Sequence, residues 1–221
     1  INSIIKALIL TVIVKGERMI KTYITGISQH TRDELLQLWY QPHGFELKNN
    51  RKTSYPIIPV ISEQYVPGDD VKIIAIRPDN LDTPDNYQLF LKELQTLEIS
   101  ETEVTEISVI ENQGEQGSLC LLLKILDEIP DDSLISADIT FGTKPMSAML
   151  LYAMSFVEKI KDSEVQGIYY GEIPRVHGKA VPDQAMIHDL TAFKRLGDVI
   201  ESLKKLDIQD ISQTLHAIME M

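Results

Sequence analysis

The residues best equipped for chemistry lie in one run, "DITFGTKPMS", from Asp138 to Ser147. Gly142 has no Cβ, so a ligand can come close to the backbone there. Pro145 suits the first turn of a helix, where its missing N–H costs nothing. A helix starting at this point offers N–H groups and the positive end of its dipole. Lys144 adds a mobile cation, and Thr143 and Ser147 add hydroxyls, with Phe141 and Met146 flanking them. Together they suit an anion, above all a phosphate. The same residues also describe an ordinary capped helix after a tight turn, and composition does not choose between the two. The run is neither G-x-G-x-x-G nor G-x-x-x-x-G-K-[ST], so neither the dinucleotide fingerprint nor the Walker loop applies. A second polar join, "TGISQHT", supplies Gly26, Ser28, Gln29 and Thr31 as further binding candidates.

Both joins follow apolar, β-rich segments. Residues 20–27 alternate and predict a first strand. A loop and short helix are expected over 28–41, then a turn-rich loop over 42–56. Residues 57–66 are ambiguous because of Pro59. Strands are expected at 71–78, 105–111 and 133–140, with helices at 82–97, 114–129 and 144–161. Strands at 165–173 and 185–191, linked by "PRVHGKAVPDQ", predict a hairpin, and closing helices follow. Near-continuous apolar strands alternating with helices predict an α/β fold. It is a Rossmann-like, mostly parallel sheet with helices on both faces and a C-terminal β-hairpin edge. In such sheets ligands sit beyond the carboxyl ends of the strands, where strand order reverses. If the strands before the two joins are neighbours, both joins line one crevice.

A length of 221 residues suits one domain with an appendage. We divide it into a leader or truncated N-terminal segment (1–18), the Rossmann-like domain (19–191) and C-terminal helices (192–221). The 43% hydrophobic content is enough for a full core. A net charge of −12 argues against duplex DNA as a partner, because phosphate backbones are held largely by Lys and Arg. It constrains a small anion in a local pocket only weakly. Cys120, the single cysteine, lies in an apolar run and is expected in the core. One cysteine supports no disulfide framework and points to a reducing, cytoplasmic setting. His43 and His177 sit in polar segments without a carboxylate spacing, so no metal site is expected. "SIIKALILTVIVKG" is short of the about 20 residues a membrane span needs. Membrane attachment enters only if the N-terminus is truncated. "KGERM" reads as a translated ribosome-binding tract, which would put the native start at Met19.

"ADITFGTKP" before an apolar helix, then "GIYYGE" and "IHDLTAFKRLGDVIESL", resembles the CRISPR-associated Rossmann-fold family, the CARF domains. The branch it resembles carries an Asp-x-Thr-His-Gly motif, matched at Asp138, Thr140 and Gly142, with Phe141 in place of the His. Tyr170, Gly171, Glu172, Ile187, Asp189, Leu190, Thr191 and Phe193 match the later pattern. The resemblance spans roughly residues 19–205. It implies a sensor that binds cyclic oligoadenylate, a second messenger of type III CRISPR defence, across a homodimer, with no cofactor. The "TGISQHT" loop would then meet ribose and base edges. Ser28 and Lys144 resemble the hydroxyl and lysine of ring nucleases, in which the ribose 2′-OH attacks the adjacent phosphate without a metal; positioning and charge stabilisation carry that step. Two alternatives stay open: a metal-independent ring nuclease degrading cyclic tetra-adenylate, and a Rossmann-like enzyme acting on a nucleotide or phosphosugar. The chain could also be the sensor part of a longer effector.

Overall fold

The computed structural model describes residues 19–31, 35–79, 83–109, 114–177, 179–205 and 210–219. The leader assigned to residues 1–18 lies outside them, as does the middle of the short helix expected within 28–41. The first strand, β1 (Ile20–Gly26), is fully buried from Thr22 onward and so sits inside a sheet. Around it are β5 (Val71–Pro78), β6 (Val104–Val109), β7 (Ser133–Asp138) and β8 (Glu164–Glu172). These five strands are parallel, paired β6-β5-β1-β7-β8. The chain fills one side of β1 first and then crosses to the other, so the strand order reverses between β1 and β7. The two strands that precede the polar joins are therefore neighbours, with Thr25 opposite Asp138.

Helices cover both faces. On one lie α1 (Ile57–Gln64) and α2 (Thr83–Gln95), packed on Tyr23, Ile73 and Tyr169. On the other lie α3 (Glu115–Glu128) and α4 (Lys144–Ile160), packed on Ile24, Ile74 and Ile135. The ambiguity at 57–66 resolves as helix because Pro59 falls in the first turn, where no intrahelical N–H is needed. The C-terminal hairpin forms: β11 (Met186–Asp189) runs antiparallel to β8. Its connection holds a small ribbon, β9 (Arg175–Val176) with β10 (Lys179–Ala180). Two helices close the chain, α5 (Thr191–Lys205) and α6 (Ile211–Met219). Lys194 ties α5 to α4 through Glu158.

Three expectations need correction. Over residues 35–41 no helix forms; β2 (Leu38–Trp39) pairs with β4 (Lys52–Thr53) instead. Leu38 and Tyr40 are buried while Trp39 is exposed, a period of two that suits a ribbon. Second, the loop expected at 42–56 contributes β3 (Gln41–His43), which pairs in parallel with β11 and takes the outermost place of the seven-stranded sheet. Third, Cys120 is exposed. The buried stripe of α3 runs through Leu121, Leu122, Ile125 and Leu126, and Cys120 shares the outer side with Leu119 and Leu123. Among the described residues no helix is long and apolar enough to cross a membrane.

Candidate functional site

At the carboxyl end of β7 the chain turns on Asp138. The Thr140 N–H donates to Asp138 Oδ1 at 2.9 Å, and the Thr140 hydroxyl donates to the same oxygen. Thr25, the neighbour on β1, donates its hydroxyl to Oδ2 at 3.0 Å. The Gly171 N–H of β8 donates to Thr140 Oγ1 at 2.7 Å, and Ile139 N–H to the Tyr169 carbonyl at 2.9 Å. Asp138 and Thr140 thus pin the turn to the strands on both sides, Asp138 to β1 and Thr140 to β8. Asp138 has no solvent exposure, and that burial pushes its pKa up to about 6, against the pull of its Thr140 and Thr25 bonds. Its role is to shape the loop.

After this anchor the backbone swings out. Gly142 has φ +119°, a conformation that side-chain-bearing residues rarely adopt. The chain then enters α4 through Thr143, whose Oγ1 accepts weakly from Met146 N–H at 3.4 Å. Ser147 N–H donates to the Thr143 carbonyl at 3.1 Å, and the Ser147 hydroxyl to the Ile139 carbonyl at 3.4 Å. Among the described residues, the N–H groups of Phe141, Gly142, Thr143 and Lys144 meet no protein acceptor. Successive unbonded N–H groups before a helix make an anion-binding concavity. No acidic residue sits in the first turn of α4 to compete for it. Gly142 and Lys144 are exposed, so the row opens to solvent.

The β1 join packs against this turn. A Cβ on Gly26 would lie 2.3 Å from the Phe141 carbonyl oxygen, so the two backbones touch. Met146 is buried, and its methyl packs against both Gly26 and Gly142. Gly26 and Met146 therefore support the site from beneath. Ser28 is fully buried, and its Oγ accepts from His30 N–H at 3.1 Å. Gln29 is half-buried, while His30 and Thr31 are exposed. The loop is held from α2: Asn86 Nδ2 donates to the carbonyls of Ser28 and His30, each at 2.8 Å. The structure brings Gly26, Phe141, Gly142 and Met146 together and leaves Thr143, Lys144 and Ser147 around the helix start. It turns Ser28 inward.

A cavity of about 510 Å³ opens on the β8 side of the same turn, within the about 300–1,000 Å³ range of small-molecule pockets. Its walls include Tyr40, Thr140, Phe141, Tyr170, Ile173 and Arg175. Of these, Tyr40, Ile173 and Arg175 were not among the sequence candidates. Nor were Thr25 and Asn86, whose contacts with Asp138 and Ser28 lie far apart in the chain. The signals that a crevice lay here were the Gly, Ser and Thr content of the joins and their place after two strands of an α/β sheet. Among the described residues no three His, Cys, Asp or Glu side chains gather as metal ligands. No family model matches the chain, and a search of curated proteins finds no match.

Proposed function

We propose that the chain is a sensor that binds a cyclic oligoadenylate in type III CRISPR defence, in the cytoplasm, with the ring shared by two copies of the chain. One observation carries the reading: four consecutive unbonded N–H groups, from Phe141 to Lys144, lead into α4 beside an exposed lysine and no acid. A ring of nucleotides carries several phosphates, and paired helix starts with their lysines can neutralise some of them. The position of this row at the strand-order reversal supports the reading. A homodimer is supported by apolar side chains left exposed on the outer side of α3 and α4, including Leu123, Leu151 and Phe156.

The test is direct. The full chain is incubated with cyclic tri-, tetra- and hexa-adenylate, and binding and linear products are measured. Binding of at least one ring, weakened about tenfold in Lys144→Ala while the fold is retained, is the expected result. No binding to any ring would sink the reading. Slow conversion to linear products would add ring-nuclease activity; the inward-turned Ser28 hydroxyl gives that activity no support from the geometry.

A further inference from the structure

We infer that the cavity between Phe141 and Tyr170 holds a purine base of the ligand, so that base selection comes chiefly from the end of β8 and its ribbon, with His30 as the contribution of the "TGISQHT" loop. The inference rests on the cyclic-oligoadenylate reading and assigns the half of the site which that reading leaves open.

Phe141 belongs to both halves. Its N–H starts the unbonded row, and the same residue lines the cavity. A phosphate on the row and a base in the cavity are thus one residue apart, as they must be within a single nucleotide. The wall chemistry suits a flat, uncharged ring. Among the described lining residues only Arg175 carries a full charge, and none is a carboxylate. Phosphates gain more from the N–H row and Lys144.

The rings that would hold a base are fixed in advance. Phe141 stands edge-on to Tyr55, with centroids 5.5 Å apart and planes at 71°. Tyr170 is 38% exposed and lines the cavity. Its ring stacks on His188, at 6.3 Å and 25°. His188 is itself held by Glu172 at 2.8 Å. A stacking surface braced by its neighbours gives up little rotamer entropy when the ligand arrives. Tyr40 places a phenol in the wall, and burial beside Asp138 and Glu93 keeps that hydroxyl protonated and able to donate. The β1 loop contributes less: His30 lines the cavity, edge-on to Phe141 at 6.3 Å, but Ser28 is buried, and the Ser28 and His30 carbonyls both accept from Asn86.

Binding of cyclic tetra-adenylate and of cyclic tetra-uridylate, a ring with the same phosphates and no purine, is measured by calorimetry. The proteins are the full chain, Tyr170→Ala, Tyr170→Phe and Ala180→Trp. Ala180 lies on the exposed ribbon and lines the cavity, so Ala180→Trp fills it without touching the core. Melting curves establish that each variant folds. The full chain should prefer the adenylate ring. Tyr170→Ala should weaken adenylate binding about 5- to 150-fold, the span for stacking one base on one aromatic side chain. Tyr170→Phe should retain adenylate binding, and Ala180→Trp should block it. Unchanged adenylate binding in folded Tyr170→Ala and Ala180→Trp, with weakened binding in Lys144→Ala, would overturn the inference and leave the sensor reading standing. Failure of the full chain to bind either ring would overturn both.

Discussion

Two Asp-x-Thr turns flank β8, and they end differently. Asp138-Ile139-Thr140 follows β7, and Asp189-Leu190-Thr191 follows β11. In both, the Asp accepts from the N–H and the hydroxyl of the Thr, and the Thr Oγ1 accepts an N–H from β8. The middle residue donates its N–H to a β8 carbonyl, Ile139 to Tyr169 at 2.9 Å and Leu190 to Ile168 at 2.7 Å. After Thr191 the helix begins at once, so Asp189 is a capping carboxylate at the helix's positive end. After Thr140 three residues intervene, Gly142 takes φ +119°, and the helix starts only at Lys144. There the carboxylate stays buried behind the turn and the N–H groups face solvent. The same anchor makes a capped helix in one place and a row of open N–H groups in the other. The added residues, Phe141 to Thr143, decide which.

The largest test of this contrast is removal of each carboxylate. Asp138→Ala leaves the Thr140 and Thr25 donors without a buried acceptor and should cost about 3 kcal/mol. Asp189→Ala removes a half-exposed cap and should cost about 1 kcal/mol. Equal losses in urea denaturation would break the comparison. Next comes pH. Burial raises the Asp138 pKa to about 6 in the fold, above the ordinary aspartate value of 3.8. Its contribution is therefore complete below about pH 4 and is lost as pH rises through about 6, by about 3 kcal/mol in all. Asp138→Asn should flatten that part of the stability profile, and an unchanged profile would refute the burial argument.

A smaller effect on stability is expected at the intervening residues. Gly142→Ala forces a Cβ into a disfavoured conformation and against the Met146 methyl. The cost should be about 1–3 kcal/mol, with ring binding lost as the N–H row is displaced. Retained binding in the folded variant would show that the row is not the seat. The smallest change in stability belongs to Lys144→Ala, an exposed position, at about 0.5 kcal/mol or less. Binding should nevertheless fall about tenfold, and the fall should shrink as salt is raised. A salt-independent loss would point away from charge.

The joins were legible from local pattern because their features act over a few residues. Gly142 at the turn and Pro145 in the first turn of a helix starting at 144 are short-range choices, and both appear where the spacing placed them. Less legible were residues whose roles depend on partners distant in the chain. Ser28 looks like an exposed hydroxyl in a polar loop, but Asn86, 58 positions on, holds its carbonyl and the side chain is buried. Cys120 reads as core within "SLCLLLKIL", yet the helix can bury only one stripe, and Leu121 and Leu122 take it. Tyr40, Ile173 and Arg175 become neighbours of Phe141 only once the chain has crossed the end of the sheet and returned.

The sequence by itself determined the alternation of strands and helices, the places where they meet and the residue types at each meeting point. Hydrophobic period and turn chemistry are properties of nearby residues, so they survive reading in one dimension. Only the tertiary structure decided that β7 lies beside β1, that β3 takes the edge beyond β11, and which side of each loop faces solvent. Those outcomes depend on pairing between segments as far apart as Thr25 and Asp138, and pairing at that distance is chosen by the packing of the whole sheet.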